Sequence, residues 1–147
     1  MTFRFATLGS GSKGNCYFVE ADGRRILLDA GLSARQIEMR LGVLGIDPAS
    51  LDGIIISHEH IDHVAGLRVM VKRYGLPVWC NDVTRAALNE KLGTNIPVTI
   101  IQTGREFTIG GIRVHPFSVS HDAADPIGLT LQAGNVRLGL AEDLGYA

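Results

Sequence analysis

The chain has only two cysteines, Cys16 and Cys80, which form neither a CxxC pair nor a disulfide framework. That excludes a disulfide-stapled secreted scaffold and a cysteine-built metal knuckle, and it suits packing residues in a reducing cytoplasm. Charge of one sign is also missing. A net charge of −1 and a pI near 6.5 create no global field to recruit nucleic acid or an anionic membrane, so any phosphate contact has to be local. No apolar run approaches the roughly 18 residues that would cross a bilayer. The N-terminus lacks the basic-then-apolar pattern of a secretory signal. Linkers, repeats and low-complexity stretches are absent as well. What is present is 46% hydrophobic and 20% charged content over 147 residues, the profile of one soluble globular domain or most of one.

Periodicity then divides the chain into elements. Phe3 and Phe5 alternate with Arg4 and read as a strand over 3 to 8. Cys16 to Glu20 and Arg25 to Asp29 read as two more strands, joined by the tight-hairpin pair Asp22-Gly23. Between the first two lies Gly9-Ser10-Gly11-Ser12-Lys13-Gly14-Asn15. This loop lacks the full phosphate-cradling pattern and leads into a strand, so it is either a substrate-facing loop or a plain connection. Ser33 and Gln36 make a capping box, followed by Ile37, Leu41 and Leu44 at helical spacing until Gly45. Val64, Leu67, Val71 and Tyr74 mark one amphipathic helix ending at Gly75. Its other side carries Arg68, Lys72 and Arg73, either a solvated face or a local attraction for a phosphate backbone. Pro77 to Cys80 is a short strand, and Asn81 caps a helix to about Leu92. Two hairpins follow, turning at Gly110-Gly111 and at Gly134-Asn135. Strands alternating with helices, then paired hairpins, indicate an α/β fold with a mixed sheet.

Three of the five histidines fall in the segment Ile54-Ile55-Ile56-Ser57-His58-Glu59-His60-Ile61-Asp62-His63. Chance supplies such a pattern on the order of a few times in ten thousand chains of this composition. The isoleucine run has the composition of a strand covered on both faces. Polarity changes at Ser57, so the histidines sit at a strand end. Residues two apart in an extended segment point the same way, so His58 and His60 can face one ion while Glu59 points elsewhere. Asp62 and His63, where the chain turns into a helix, are aimed at a second ion. Two metals roughly 3.5 to 4 Å apart suit a hydrolytic centre. A third histidine should come from a later strand end. His115, before Pro116 in a strand interior, reads as a packed or edge-exposed residue, whereas His121 opens a polar turn and is the better candidate.

The His-x-His-x-Asp-His signature resembles that of the metallo-β-lactamase fold hydrolases, and the likeness extends over essentially the whole chain. It implies an α/β/β/α sandwich, of which this chain would be the N-terminal portion with an incomplete second half. A sheet face meant for the remainder would then be uncovered and apolar. The resemblance also implies that Asp29, at the end of Ile26-Leu27-Leu28-Asp29, orients the histidine loop, the alternative being a turn residue before Gly31. It favours His121 as the third histidine, and Asp143 in Asp-Leu-Gly as a carboxylate bridging both ions, with Glu142 as the fallback. The family carries a last histidine further on, and none follows His121 here. The second ion would be held by Asp62, His63 and Asp143 alone.

The implied cofactors are two divalent metal ions, zinc first, with manganese or iron also suited to imidazole and carboxylate. His58, His60 and His121 plus an open position describe catalytic zinc, with a metal-activated hydroxide as nucleophile and Asp62 as its proton acceptor. The Leu-Gly-Ser-Gly-Ser-x-Gly-Asn start and Ser-His-Asp-Ala-x-Asp-Pro are similar to the YycJ- or WalJ-type bacterial branch, regarded as DNA exonucleases acting from the 5′ end. DNA is the partner this implies. Thioester or lactam hydrolysis on the same dinuclear centre, and a metal-stapled module without turnover, are the rival expectations.

Overall fold

Asp22 and Gly23 take φ of 51° and 73°, the left-handed pair that a two-residue hairpin requires, and Asp-Gly accepts it with little strain. The turn joins β2 (Cys16–Ala21) to β3 (Arg24–Leu28) with Ala21 opposite Arg24. The structure is a computed structural model that describes residues 3–119 and 123–140. β1 (Phe3–Gly9) pairs antiparallel with β2, and Phe5 stacks on Tyr17. From β3 the sheet continues in parallel through β4 (Gly53–Ile55), β5 (Val78–Asn81) and β6 (Thr99–Ile101), in the order β1-β2-β3-β4-β5-β6. Helix α1 (Ala34–Val43) forms the β3–β4 crossover, its Ser33 hydroxyl accepting from the Gln36 backbone N–H at 3.2 Å. α2 (Ile61–Val64) and α3 (Leu67–Tyr74) join β4 to β5, and α4 (Asp82–Leu92) joins β5 to β6. Asn81 caps α4 through the Thr84 N–H at 2.8 Å.

A second, antiparallel sheet holds β7 (Phe107–Ile109), β8 (Ile112–Ser118), β9 (Ile127–Ala133) and β10 (Val136–Leu140), in the order β10-β9-β8-β7. Alternation along the first sheet splits the core in two. Phe18, Leu27, Ile54 and Ile56 face the helices with Ile37, Leu41, Leu67, Met70 and Leu88. Val19, Ile26, Leu28 and Ile55 face the second sheet with Ile112, Val114, Leu129 and Leu131. Burial on both faces is why the isoleucine run shows no alternation in sequence. The described layers are therefore helices, mixed sheet and antiparallel sheet.

The structure adjusts two expectations and adds one strand. The helix anticipated from Val64 to Tyr74 is broken into α2 and α3 at Gly66. A side chain there would come within 2.3 Å of the Leu32 carbonyl oxygen, and Gly66 N–H instead donates to Ala30 at 2.8 Å. The three-residue edge strand β6 carried no clear sequence pattern, because Thr99 and Ile100 are exposed. The outward face of the second sheet is mainly polar rather than apolar, presenting Arg113, His115, Thr130, Gln132 and Arg137 around a shallow hollow. No described helix is long and apolar enough to cross a membrane.

Candidate metal centre

In parallel α/β sheets, functional groups collect beyond the carboxyl ends of the strands, where the chain leaves the sheet and exposes its backbone. Asp29 leaves β3 here, and Ser57 and His58 leave the adjacent β4. Asp29 adopts φ of 63°, in the left-handed region, a conformation that aspartate tolerates better than most residues. Its side chain is 1% exposed. Oδ1 accepts the Ser57 backbone N–H at 2.7 Å and Oδ2 accepts the Ser57 hydroxyl at 2.7 Å. Oδ2 also lies 2.7 Å from His63 Nδ1. A carboxylate acceptor at Nδ1 puts the ring proton there and leaves the Nε2 lone pair facing the site.

His60 is the N-cap residue of α2, and that single turn carries Asp62 and His63. The ring centroids of His58 and His63 are 3.7 Å apart, those of His58 and His60 5.1 Å. His58 Nδ1 lies 3.0 Å from Ser57 Oγ. His63 Nε2 is 3.9 Å from Asp62 Oδ2. Bonds of about 2.1 Å around a tetrahedral ion need donors roughly 3.4 Å apart, so this pair is spaced close to what a shared ion requires. Imidazole and carboxylate are also the donor types that zinc and manganese take. The residues present therefore fit a metal, although among the described residues no three donor side chains are already closed around one position. His121, Asp143 and Glu142 lie outside the described residues.

The rest of the site is placed as follows. Glu59 does turn away from the histidines, accepting the Ala124 N–H at 3.2 Å. His115 is exposed on the outward face of the second sheet, apart from the cluster. The anticipated basic patch is partly neutralised. Arg73 donates twice to Glu38 at 2.8 Å, while exposed Arg68 and Lys72 line a groove with Thr94 to Pro97, at the entry to β6 rather than at the strand ends bearing the histidines. Burial pushes the Cys80 thiol up to about 12, so it packs and does not act as a nucleophile.

Sequence reasoning gave no site role to three buried polar residues, Asn81 being read only as a helix cap. Ser57 links Asp29 to His58. Asn81 donates to Thr103 Oγ1 and to the backbone and carboxylate of Asp125, each at 3.0 Å, holding the segment that enters β9. Asn15, 2% exposed, ends the glycine loop and reaches Asp62 and His63. The only available signal was a polar residue beside glycines or apolar runs, which does not report partners distant in sequence.

Residues 9–137 match the model of the metallo-beta-lactamase superfamily. The chain belongs to this family. It is 39% identical to an exodeoxyribonuclease YycJ of Bacillus anthracis across 99% of the chain and 56% of that protein, and 34% identical to an exodeoxyribonuclease WalJ of Streptococcus pneumoniae across 98% and 55%. The chain thus spans about half the length of these relatives. A metallo-beta-lactamase of Cronobacter sakazakii superposes with a TM-score of 0.80 over 94% of this chain and 55% of its own, at 19% identity. Divalent metals, often zinc, are typical of this family.

Proposed function

We propose that this chain is the metal-holding part of a phosphodiesterase that removes nucleotides from the 5′ end of DNA. His58, His60 and His121 would hold one divalent ion, and Asp62, His63 and Asp143 a second, with zinc first and manganese or iron as alternatives. The observation that carries the metal reading is the buried Asp29–His63 pair, which turns Nε2 toward the Asp62 carboxylate 3.9 Å away, close to the separation of two donors on one ion. When bound, the metals supply Lewis acidity and an acidified water at neutral pH.

The chain's own residues do the rest. Asp29 and Ser57 hold the His63 and His58 rings in place through Nδ1. Asp62, at 25% exposure, stands at the rim where its carboxylate can take the proton of the attacking water. The choice of DNA is supported by the names of the relatives that cover nearly all of this chain. Without a strong positive field, the phosphate would be recognised at the centre itself rather than by a basic surface. The buried thiols of Cys16 and Cys80 support a reducing, cytoplasmic setting.

The test is an assay of 5′-labelled duplex DNA beside a panel of thioesters and lactams, with Zn2+ or Mn2+ added. Release of labelled nucleotides is the expected result. Turnover of the acyl substrates alone would refute the nuclease reading, and metal uptake without turnover of either would favour a metal-stapled module.

A further inference from the structure

The hairpin of β1 and β2 is closed by more chain than it needs. Gly9 pairs with Cys16, so residues 10–15 form the connection, where about two residues suffice to turn a hairpin. The neck of this loop is pinned. The Asn15 backbone N–H donates to the Asp62 carbonyl at 2.7 Å, its carbonyl accepts the Gly31 N–H at 2.9 Å, and the Gly14 N–H donates to the Gly11 carbonyl at 3.2 Å. A side chain at Gly14 would come within 2.7 Å of the Gly31 carbonyl oxygen, so the neck lies directly on the segment that leaves β3. Gly14 and Asn15 are buried, whereas Ser10, Gly11, Ser12 and Lys13 are all exposed. The additional residues are thus held out in solvent on a base fixed to Asp62.

Lys13 is the charge that this brings to the site. Among the described residues no carboxylate pairs with its ammonium, and no backbone acceptor meets the N–H of Ser12 or Lys13. Arg40 instead donates to the Leu8 carbonyl, just before the loop. Two residues of chain span at most about 7 Å, which bounds the distance from Lys13 to Asn15. At about 3.4 Å of rise per nucleotide, a phosphate gripped by Lys13 is one or two steps from a phosphate at the centre. We infer that Lys13, with the backbone N–H groups of Ser12 and Lys13, binds a second phosphate of the DNA strand beside the one held at the metals. This rests on the nuclease reading above. Lysine meets phosphate as a point charge, and such a contact fixes the register of a strand without reading its sequence.

The experiment measures DNA binding and cleavage by the full-length protein carrying Lys13→Ala, Lys13→Arg or, as a control for net charge, Lys72→Ala at an exposed lysine of α3. Affinity is read from the fluorescence anisotropy of a labelled duplex at several salt concentrations, with Asp62→Ala also present so that the DNA stays intact. Lys13→Ala should raise Kd and KM by about 10-fold, as for one lost charge-assisted hydrogen bond, with kcat within about twofold. The slope of log Kd against log salt should fall by about 0.9, the loss of one phosphate contact, and Lys13→Arg should restore both. Weaker binding at unchanged slope, an equal loss in Lys72→Ala, or no change would each overturn the inference. Duplexes bearing a 5′-phosphate or a 5′-hydroxyl distinguish the group bound. A loss confined to the first marks the terminal phosphate, and a loss on both an internal one. If the unmodified protein neither binds nor cleaves DNA, the nuclease reading has failed and the inference falls with it. If it does both and Lys13→Ala matches it, the inference alone fails.

Discussion

Replacing Asp29 by Asn alters one atom of the site and should separate orientation of His63 from packing. Asparagine tolerates φ of 63° about as well as aspartate, so the backbone need not move. Its Oδ1 can keep the Ser57 N–H, but an amide nitrogen at the Oδ2 position meets two groups that both donate to the carboxylate at 2.7 Å. The Ser57 hydroxyl can rotate and accept. His63 Nδ1–H cannot, and must transfer its proton to Nε2 or leave the contact. One buried hydrogen bond to a charged group is lost, worth about 1.5 to 3 kcal/mol. The shifted tautomer blocks the ligating nitrogen, weakening zinc by about 10- to 100-fold, equivalent to roughly 1.4 to 2.7 kcal/mol. Urea denaturation followed by Trp79, the only tryptophan, measures the first quantity. Chelator competition measures the second. An Asp29→Asn protein with unchanged zinc affinity would refute the argument that the 2.7 Å contact with Asp29 Oδ2 sets the His63 tautomer.

Asp62→Ala in the full-length active protein should abolish hydrolysis with little change in melting temperature, and retained turnover would remove Asp62 from the mechanism. Gly31→Ala should destabilise the fold by about 3 kcal/mol, at the upper end for overpacking, because the added carbon meets Asp62 backbone rather than a movable side chain. Denaturation showing a loss below about 1 kcal/mol would mean that the 29–32 segment is loosely seated. Glu38 is held below its ordinary 4.5 by the Tyr74 hydroxyl first and Arg73 second. A depressed carboxylate adds stability above its unfolded value and loses it as pH falls through the folded one. Glu38→Gln should therefore flatten the acid side of the stability curve below about pH 4.5, by less than about 1 kcal/mol at this partly solvated pair. Parallel curves for the two proteins would contradict that.

Sequence was most informative where local chemistry decides structure. Hairpin turns at Asp22-Gly23 and Gly134-Asn135, caps at Ser33 and Asn81, and the helix ends at Gly75 and Gly93 all depend on residues within a few positions of one another. The density of metal-type donors from His58 to His63 was legible for the same reason. The sheet partition was less so, since Ile54, Ile55 and Ile56 are all fully buried and their pattern cannot say which face meets the helices.

Tertiary structure decided the rest. A helix that periodicity joins is split at Gly66, where the Leu32 carbonyl leaves no room for a side chain. Asn15, Asp29 and Ser57 acquire their roles from partners lying in other elements. A sequence shows that such residues are polar, but not that each is buried and which acceptor it meets. The residue types by themselves determined that a metal could be held. Only the meeting of β3, β4 and the glycine loop determined which ring nitrogen faces it, since tautomer and direction are set by hydrogen bonds across the fold.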